Sequence, residues 1–206
     1  MPPNDLTPHM TTWELFPSVV QVSTHPAAAR INAELRGAVA NIRATTPNGK
    51  PQDWAGNLYT TVENNNELQL HPSFKEISNF IENECANFAS INKLFISNDG
   101  VFIKNLWVNI YTKNNSMDVH NHPNSLFTGV YFLKVPENSA KFAFDSPNSE
   151  SMVSTPINKI SPYNQYQPAF EANEGELIVF NSYLKHRVLL HDIEEERISI
   201  GFTVII

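Results

Sequence analysis

The chain has one cysteine, no run of basic residues and no long hydrophobic segment in its 206 residues. The single cysteine, Cys85, excludes an internal disulfide and a zinc site built from paired cysteines, and we expect it to be a buried helix residue. Because no stretch approaches about 18 apolar residues, the sequence predicts no membrane-spanning helix. The net charge of −7 argues against binding to nucleic acid through a broad basic surface.

We expect the N-terminal residues 1–12 to be a loose polar tail. They lack the basic and apolar regions of a secretory signal peptide, and together with the lone cysteine they predict a reducing, cytoplasmic setting. Large aromatic side chains are plentiful, with 13 Phe, 6 Tyr and 3 Trp, so the chain can build a substantial core. The length predicts one compact domain over residues 1–206.

The first half of the chain, residues 1–100, has a mixed, mainly helical pattern. The segment 13–22 reads as a strand, and apolar residues then recur at helical spacing after Pro26. A second helix begins near Ser73, where Glu76 stands three residues further on and completes the pattern of a capping box. We expect this half to support the second half by packing on one of its faces.

From residue 101 onward the pattern is β, and residues 146–170 form a long insert rich in Pro, Ser and Asn, of the kind that is usually functional or mobile. Short strand-like runs separated by turns predict a sandwich or barrel, so the fold class is α+β, mainly β with N-terminal helices. The last run could be a central strand or the edge of a homodimer. The runs are VFIKNLWVNIYT, SLFTGVYFLKV, AKFAFDS, GELIVFNS, HRVLLH and RISIGFTVII.

Two histidines, His120 and His122, stand one residue apart in the polar link between the first two of these runs. In an extended chain, side chains at this spacing point to the same face, so both imidazoles can reach one point. Neutral imidazole is the commonest metal ligand, and His186 is the best candidate for a third. The alternative is a polar turn whose histidines have no common role.

Arg197 follows His186 by eleven residues and shares a face of the last run with Ser199. An arginine there could bind a carboxylate through two parallel hydrogen bonds, with the serine hydroxyl as a further donor. The alternative is a surface ion pair with one of the neighbouring glutamates 194–196. His191 lies at an odd offset from His186, so strand alternation predicts that it faces solvent.

The second half of the chain resembles the 2-oxoglutarate- and Fe(II)-dependent oxygenases, which have a double-stranded β-helix, or jelly-roll, fold. The resemblance rests on three motifs, HNHPNSLFTGVYFLKVP, GELIVFNSYLKHRV and RISIGF, and covers about residues 101–206. It is strongest to a small group from phages and marine bacteria within the prolyl-hydroxylase-like superfamily. It implies a catalytic core over 101–206, and a phage-encoded protein would act in the host cytoplasm.

The resemblance also implies roles for individual residues. His120 and His186 match iron ligands, and Arg197 matches the residue that anchors 2-oxoglutarate, with Ser199 assisting. Tyr111 lies nine residues before His120, where related enzymes often have a tyrosine that contacts the cosubstrate.

The chain departs from the family pattern at one ligand. The usual motif is HxD or HxE, whereas His122 occupies the third position here. Asp118 would supply the carboxylate if the strand register differed. Asn109 lies between Trp107 and Tyr111 on one strand face, where it either binds the cosubstrate or satisfies a buried backbone group.

The resemblance therefore implies an Fe(II)- and 2-oxoglutarate-dependent dioxygenase that uses dioxygen to hydroxylate an unidentified substrate, such as a peptidyl side chain. Two alternatives remain at this point. One is a non-catalytic jelly-roll module that binds a metal or a protein partner. The other is a three-histidine, cupin-like dioxygenase that does not need 2-oxoglutarate.

Overall fold

The computed structural model describes residues 11, 13, 16–96, 100–148 and 156–206. The predicted tail over 1–12, except residue 11, lies outside these ranges, as do residues 14 and 15 of the predicted strand at 13–22 and residues 149–155 of the 146–170 insert. In the described ranges, no helix is both long and apolar enough to cross a membrane. The helices are α1 (Ala28–Thr45) and α2 (Lys75–Ile91), with 3₁₀ turns at Leu68–Leu70 and Pro72–Phe74.

Among the described residues, ten strands accompany the helices, and eight of them come from the second half of the chain. They are β1 (Val20–Thr24), β2 (Tyr59–Thr60), β3 (Phe102–Tyr111), β4 (Asn115–His120), β5 (Phe127–Lys134), β6 (Phe142–Phe144), β7 (Ala169–Phe170), β8 (Glu176–Asn181), β9 (His186–His191) and β10 (Arg197–Ile205).

The strands form two antiparallel sheets whose connections define a jelly roll. The large sheet has the order β1-β8-β5-β10-β3-β2, and the small sheet has the order β4-β9-β6-β7. From β3 onward the chain passes back and forth between the two sheets, as expected for a double-stranded β-helix. Because β10 lies between β5 and β3, the last strand is central and offers no edge to a second subunit.

Two predictions for the strands were wrong. The sequence led us to expect six strands after residue 101, but the polar link at Asn115–His120 is itself strand β4, and Ala169–Phe170 adds β7. These two segments form strands because they pair with β9 and β6 in the small sheet, and their own sequence patterns do not predict it. The N-terminal strand covers Val20–Thr24, later than predicted, where it pairs with β8.

The two helices lie on the outer face of the large sheet. Helix α1 buries Ile31, Leu35 and Val39, and helix α2 buries Cys85 and Phe88, in one cluster with the outer side chains of β3, β5, β8 and β10. The two helices of the first half thus pack on one face of the β unit. The inner face of the large sheet turns toward the small sheet, and the space between the sheets holds the site.

The start of α2 differs from the predicted capping box. The 3₁₀ turn Pro72–Phe74 precedes the helix, and the His71 ring accepts a hydrogen bond from the Ser73 backbone N–H at 3.2 Å. Glu76 instead forms an ion pair with Arg30 of α1, with 2.6 Å between the Glu76 Oε1 and the Arg30 Nη2. A long-range ion pair thus replaces the local cap that the sequence suggests.

We predict that Gly129→Ala lowers the free energy of unfolding by about 3 kcal/mol, because overpacking of a strand contact is costly. A Cβ at Gly129 would lie 2.0 Å from the Ile178 carbonyl oxygen on β8 and 2.5 Å from the Phe202 ring. The matched control is Gly37→Ala on the exposed side of α1, where a Cβ meets no atom within 4 Å. The control should gain up to about 1 kcal/mol from helix propensity. Urea unfolding measures both, and equal midpoints would contradict the close approach of β5 and β8.

Candidate functional site

A cavity of about 180 Å³ lies between the two sheets, and three cross-strand pairs of β10 and β3 form its wall. Arg197 faces Tyr111, Ser199 faces Asn109, and Gly201 faces Trp107. Alternate residues of a strand point to one side of the sheet. All six residues of these three pairs therefore face the cavity. The sequence predicted the Arg197–Ser199 alternation, and the pairing with β3 follows from the fold.

Three histidines meet at the other side of this cavity. His120 ends β4 and His186 begins β9, and the two residues are register partners. His122 follows two residues later, and its backbone N–H donates to the Ser182 carbonyl at 3.0 Å. One nitrogen from each ring lies within 4.8 Å of the others. This is a set of ligand atoms that could hold one metal ion.

A bulge in β4 decides between His122 and Asp118. Met117 pairs with Val188, but His120 pairs with His186, so β4 has one residue more than β9 over this stretch. The extra residue turns Asp118 to the exposed side while Met117 and His120 both line the cavity. The predicted alternative ligand Asp118 therefore lies outside the cluster, which consists of the three histidines.

Backbone carbonyls fix two of the three rings. The Nδ1–H of His120 donates to the Asp118 carbonyl at 2.8 Å, and the Nδ1–H of His186 donates to the Leu184 carbonyl at 2.9 Å. In these neutral tautomers Nε2 is free of a proton and able to bind a metal. The His122 ring is positioned differently, against the Trp107 indole at 5.6 Å between ring centroids.

Burial keeps these imidazoles neutral. Desolvation and the neighbouring histidines lower the pKa of His186 to about 2 and that of His122 to about 3. Desolvation also lowers the pKa of His120, against the opposing effect of its hydrogen bond to the Asp118 backbone and of the Asp118 charge. A metal ion needs the deprotonated ring, so the site is in the binding form at neutral pH.

Arg197 is fully buried, and none of its three guanidinium nitrogens has a hydrogen-bond partner among the described residues. The guanidinium carbon lies 5.1 Å from the centroid of the Tyr111 ring and 5.3 Å from that of Phe132. Burial lowers its pKa, and Tyr111 opposes this shift. An isolated buried charge is costly, so this guanidinium is suited to an anion that enters the cavity.

The alternative of a surface ion pair for Arg197 is wrong. Glu194 pairs with Lys113 at 2.7 Å, and Glu196 pairs with Arg43 at 2.6 Å. Both glutamates therefore have other partners, and the Arg197 side chain is fully buried rather than at the surface.

Tyr111 and Asn109 add polar groups beside Arg197. Burial raises the pKa of Tyr111 to about 12, so its hydroxyl stays protonated and can donate. The Oδ1 of Asn109 is buried and, within the described part of the chain, accepts no hydrogen bond. The interpretation that Asn109 satisfies a buried backbone group has no contact to support it, and the side chain faces the cavity.

His191 is buried, contrary to the prediction that it faces solvent. Its Nδ1 accepts from the Ala140 backbone N–H at 3.3 Å, and its Nε2–H donates to the Glu195 carbonyl at 2.7 Å. Asn115 pairs with His191 whereas Met117 pairs with Val188, so β9 has one extra residue here. This second bulge reverses the alternation and turns His191 inward.

The sequence reasoning missed Trp54 and Val62, which reach the cavity from the first half of the chain. The Trp54 ring lies 6.4 Å from the His120 ring. Neither residue belongs to a motif that predicts a site, because both reach the cavity from a part of the sequence far from the histidines. Phe144 is a core residue that packs edge-on against Phe180, with 4.8 Å between the ring centroids.

Comparison with known proteins adds two findings. The model of a family described as "Putative 2OG-Fe(II) oxygenase" matches residues 105–203. No curated protein matches the sequence of the chain.

Solved structures share the fold. They include an oxidoreductase of the 2OG-Fe(II) oxygenase family from Burkholderia pseudomallei, with a TM-score of 0.54 and 15% identity over 88% of this chain and 93% of that one. A prolyl-4-hydroxylase from Pseudomonas putida gives 0.60 and 12%, over 90% and 92%. HygX from Streptomyces hygroscopicus, solved with nickel and 2-oxoglutarate bound, gives 0.61 and 11%, over 91% and 82%. The predicted double-stranded β-helix fold is confirmed.

We predict that His186→Ala abolishes metal binding, because two imidazoles without the third leave an incomplete set of ligands. Metal content after equilibrium dialysis against Fe(II) without oxygen should fall from one ion per chain to near zero. His71→Ala is the matched control, since this exposed histidine lies outside the cluster. Stoichiometric iron in the His186 variant would refute the assignment of the ligands.

Proposed function

We propose that this chain is an Fe(II)- and 2-oxoglutarate-dependent dioxygenase that hydroxylates a C–H bond of its substrate. The observation that carries the proposal is the buried guanidinium of Arg197, directed into the same cavity as three clustered histidines. The match of a 2OG-Fe(II) oxygenase family model to residues 105–203 supports it.

The donor set fits a divalent iron ion. His120, His122 and His186 offer three neutral nitrogens and leave further positions for other ligands. Together the metal and 2-oxoglutarate supply the oxidation, in which one atom of dioxygen enters the substrate C–H bond and the other enters succinate as carbon dioxide is released. The three histidines would hold the metal at one end of the cavity.

At the other end, Arg197 binds the distal carboxylate of 2-oxoglutarate through two parallel hydrogen bonds. The Ser199 hydroxyl and the protonated Tyr111 hydroxyl donate to the same carboxylate. Asn109 contacts the carbon chain of 2-oxoglutarate between its two ends. These residues hold the cosubstrate in one orientation. The rings of Tyr111 and Phe132 exclude water from the ion pair and so strengthen it.

The alternatives leave Arg197 without a role. A structural jelly-roll module would have no reason to bury an unpaired charge, and replacement by an apolar residue would make it more stable. A three-histidine dioxygenase without 2-oxoglutarate would also lack the anion that the guanidinium requires. For the substrate, we propose a peptidyl side chain, which the likeness to a prolyl-4-hydroxylase supports.

We predict opposite effects of Arg197→Met on binding and on stability. The protein loaded with Fe(II) without oxygen should develop a weak, saturable visible charge-transfer band on titration with 2-oxoglutarate. The variant should weaken this binding by about 100-fold or more, since one partner of a buried charge pair is lost. The ligand-free variant should nevertheless be about 2 kcal/mol more stable in urea, because a buried charge without a partner is removed.

Arg43→Met is the matched control, because Arg43 is a half-exposed arginine that pairs with Glu196 away from the cavity. It should keep the band and gain no stability. If Arg197→Met bound 2-oxoglutarate as the unchanged protein does, Arg197 would not be the anchor. If iron bound but no band appeared in the unchanged protein, the three-histidine alternative would be favoured.

A further inference from the structure

The cavity contains no acidic side chain. Of the part of the chain that the structure describes, the lining residues include one cation, Arg197, three histidines and no aspartate or glutamate. The carboxylate whose charge acts on the histidines is that of Asp118, on the exposed side of β4, where solvent screens it. The walls therefore offer positive charge and no negative charge.

This composition leaves the loaded site with an excess positive charge, an argument that rests on the proposed function. A divalent metal and the Arg197 guanidinium carry three positive charges, and the histidines add none because they are neutral. The two carboxylates of 2-oxoglutarate cancel two of these charges. In a site of the HxD type the aspartate would cancel the third, but here His122 stands in its place.

The neutral groups around the metal position also favour an anion. The Trp54 ring lies beside His120 and the Trp107 ring beside His122. The indole N–H of each ring can only donate a hydrogen bond. Asn121 lines the same opening and can donate through its amide. Neutral donors and no carboxylate therefore line this part of the cavity, among the residues that the structure describes.

We propose that the site binds a third negatively charged group, a carboxylate, next to His122 and between the two indoles, in addition to 2-oxoglutarate. This group takes over the charge of the carboxylate ligand that the chain lacks. It comes either from the substrate or from a small free anion such as formate, and both sources share the same chemistry.

The test uses the full chain loaded with Fe(II) and saturated with 2-oxoglutarate in the absence of oxygen. Formate is titrated while the visible band is followed, and its neutral isostere formamide is the control. Formate should shift the band saturably without removing it, whereas formamide should have no effect. Equal responses to the two compounds, or loss of the band as formate displaces 2-oxoglutarate, would overturn the proposal.

His122→Asp supplies the matched variant. It returns a carboxylate to the metal, so formate affinity should fall about tenfold or more through the loss of one unit of local charge. An unchanged formate affinity in this variant would contradict the proposal. If the variant does not retain iron, the comparison of formate with formamide in the unchanged protein decides the question.

A larger carboxylate separates the two sources. Competition between 3-phenylpropionate and formate would indicate a group carried by the substrate, and binding of formate alone would indicate a free anion. Absence of the 2-oxoglutarate band before any formate is added would refute the proposed function itself. A normal band without a formate response would refute only the third anionic group.

Discussion

The charge of Arg197 is the constraint around which the β unit is arranged. The side chain is fully buried on a central strand, with aromatic rings over the guanidinium and helices on the other face of the sheet. Such a charge costs several kcal/mol unless an anion joins it. The packing of α1 and α2 on the large sheet must offset this cost. In the proposed function, stability and ligand binding are therefore opposed at this one residue.

Strand alternation made much of the site predictable from the sequence. Arg197 and Ser199 share a face because they are two residues apart on a regular strand. This alternation is local, so it can be predicted without knowing the strand's partners. The long amphipathic helices were predictable for the same reason, since their periodicity is local. His186 could be offered from the sequence only as a candidate, because it lies on a different strand from His120 and the pairing of the two strands depends on the fold.

The features that could not be predicted depend on partners far away in the chain. Bulges in β4 and β9 turn Asp118 outward and His191 inward, and a bulge shows only in the register of two paired strands. The polar segment Asn115–His120 becomes a strand because β9 pairs with it. Trp54 reaches the cavity from a loop whose sequence has no pattern that predicts this contact.

The segment after β2 shows that the region matched by the family model, residues 105–203, is smaller than the folding unit. Thr61 exchanges hydrogen bonds with Val108, and the Asn66 carbonyl accepts the Leu106 N–H at 2.8 Å, so this segment covers the free edge of β3. An uncovered, hydrophobic edge strand is a template for aggregation. A truncated protein limited to residues 105–203 would expose that edge together with the apolar face beneath α1 and α2. Any minimal version made for engineering therefore has to keep the first half of the chain.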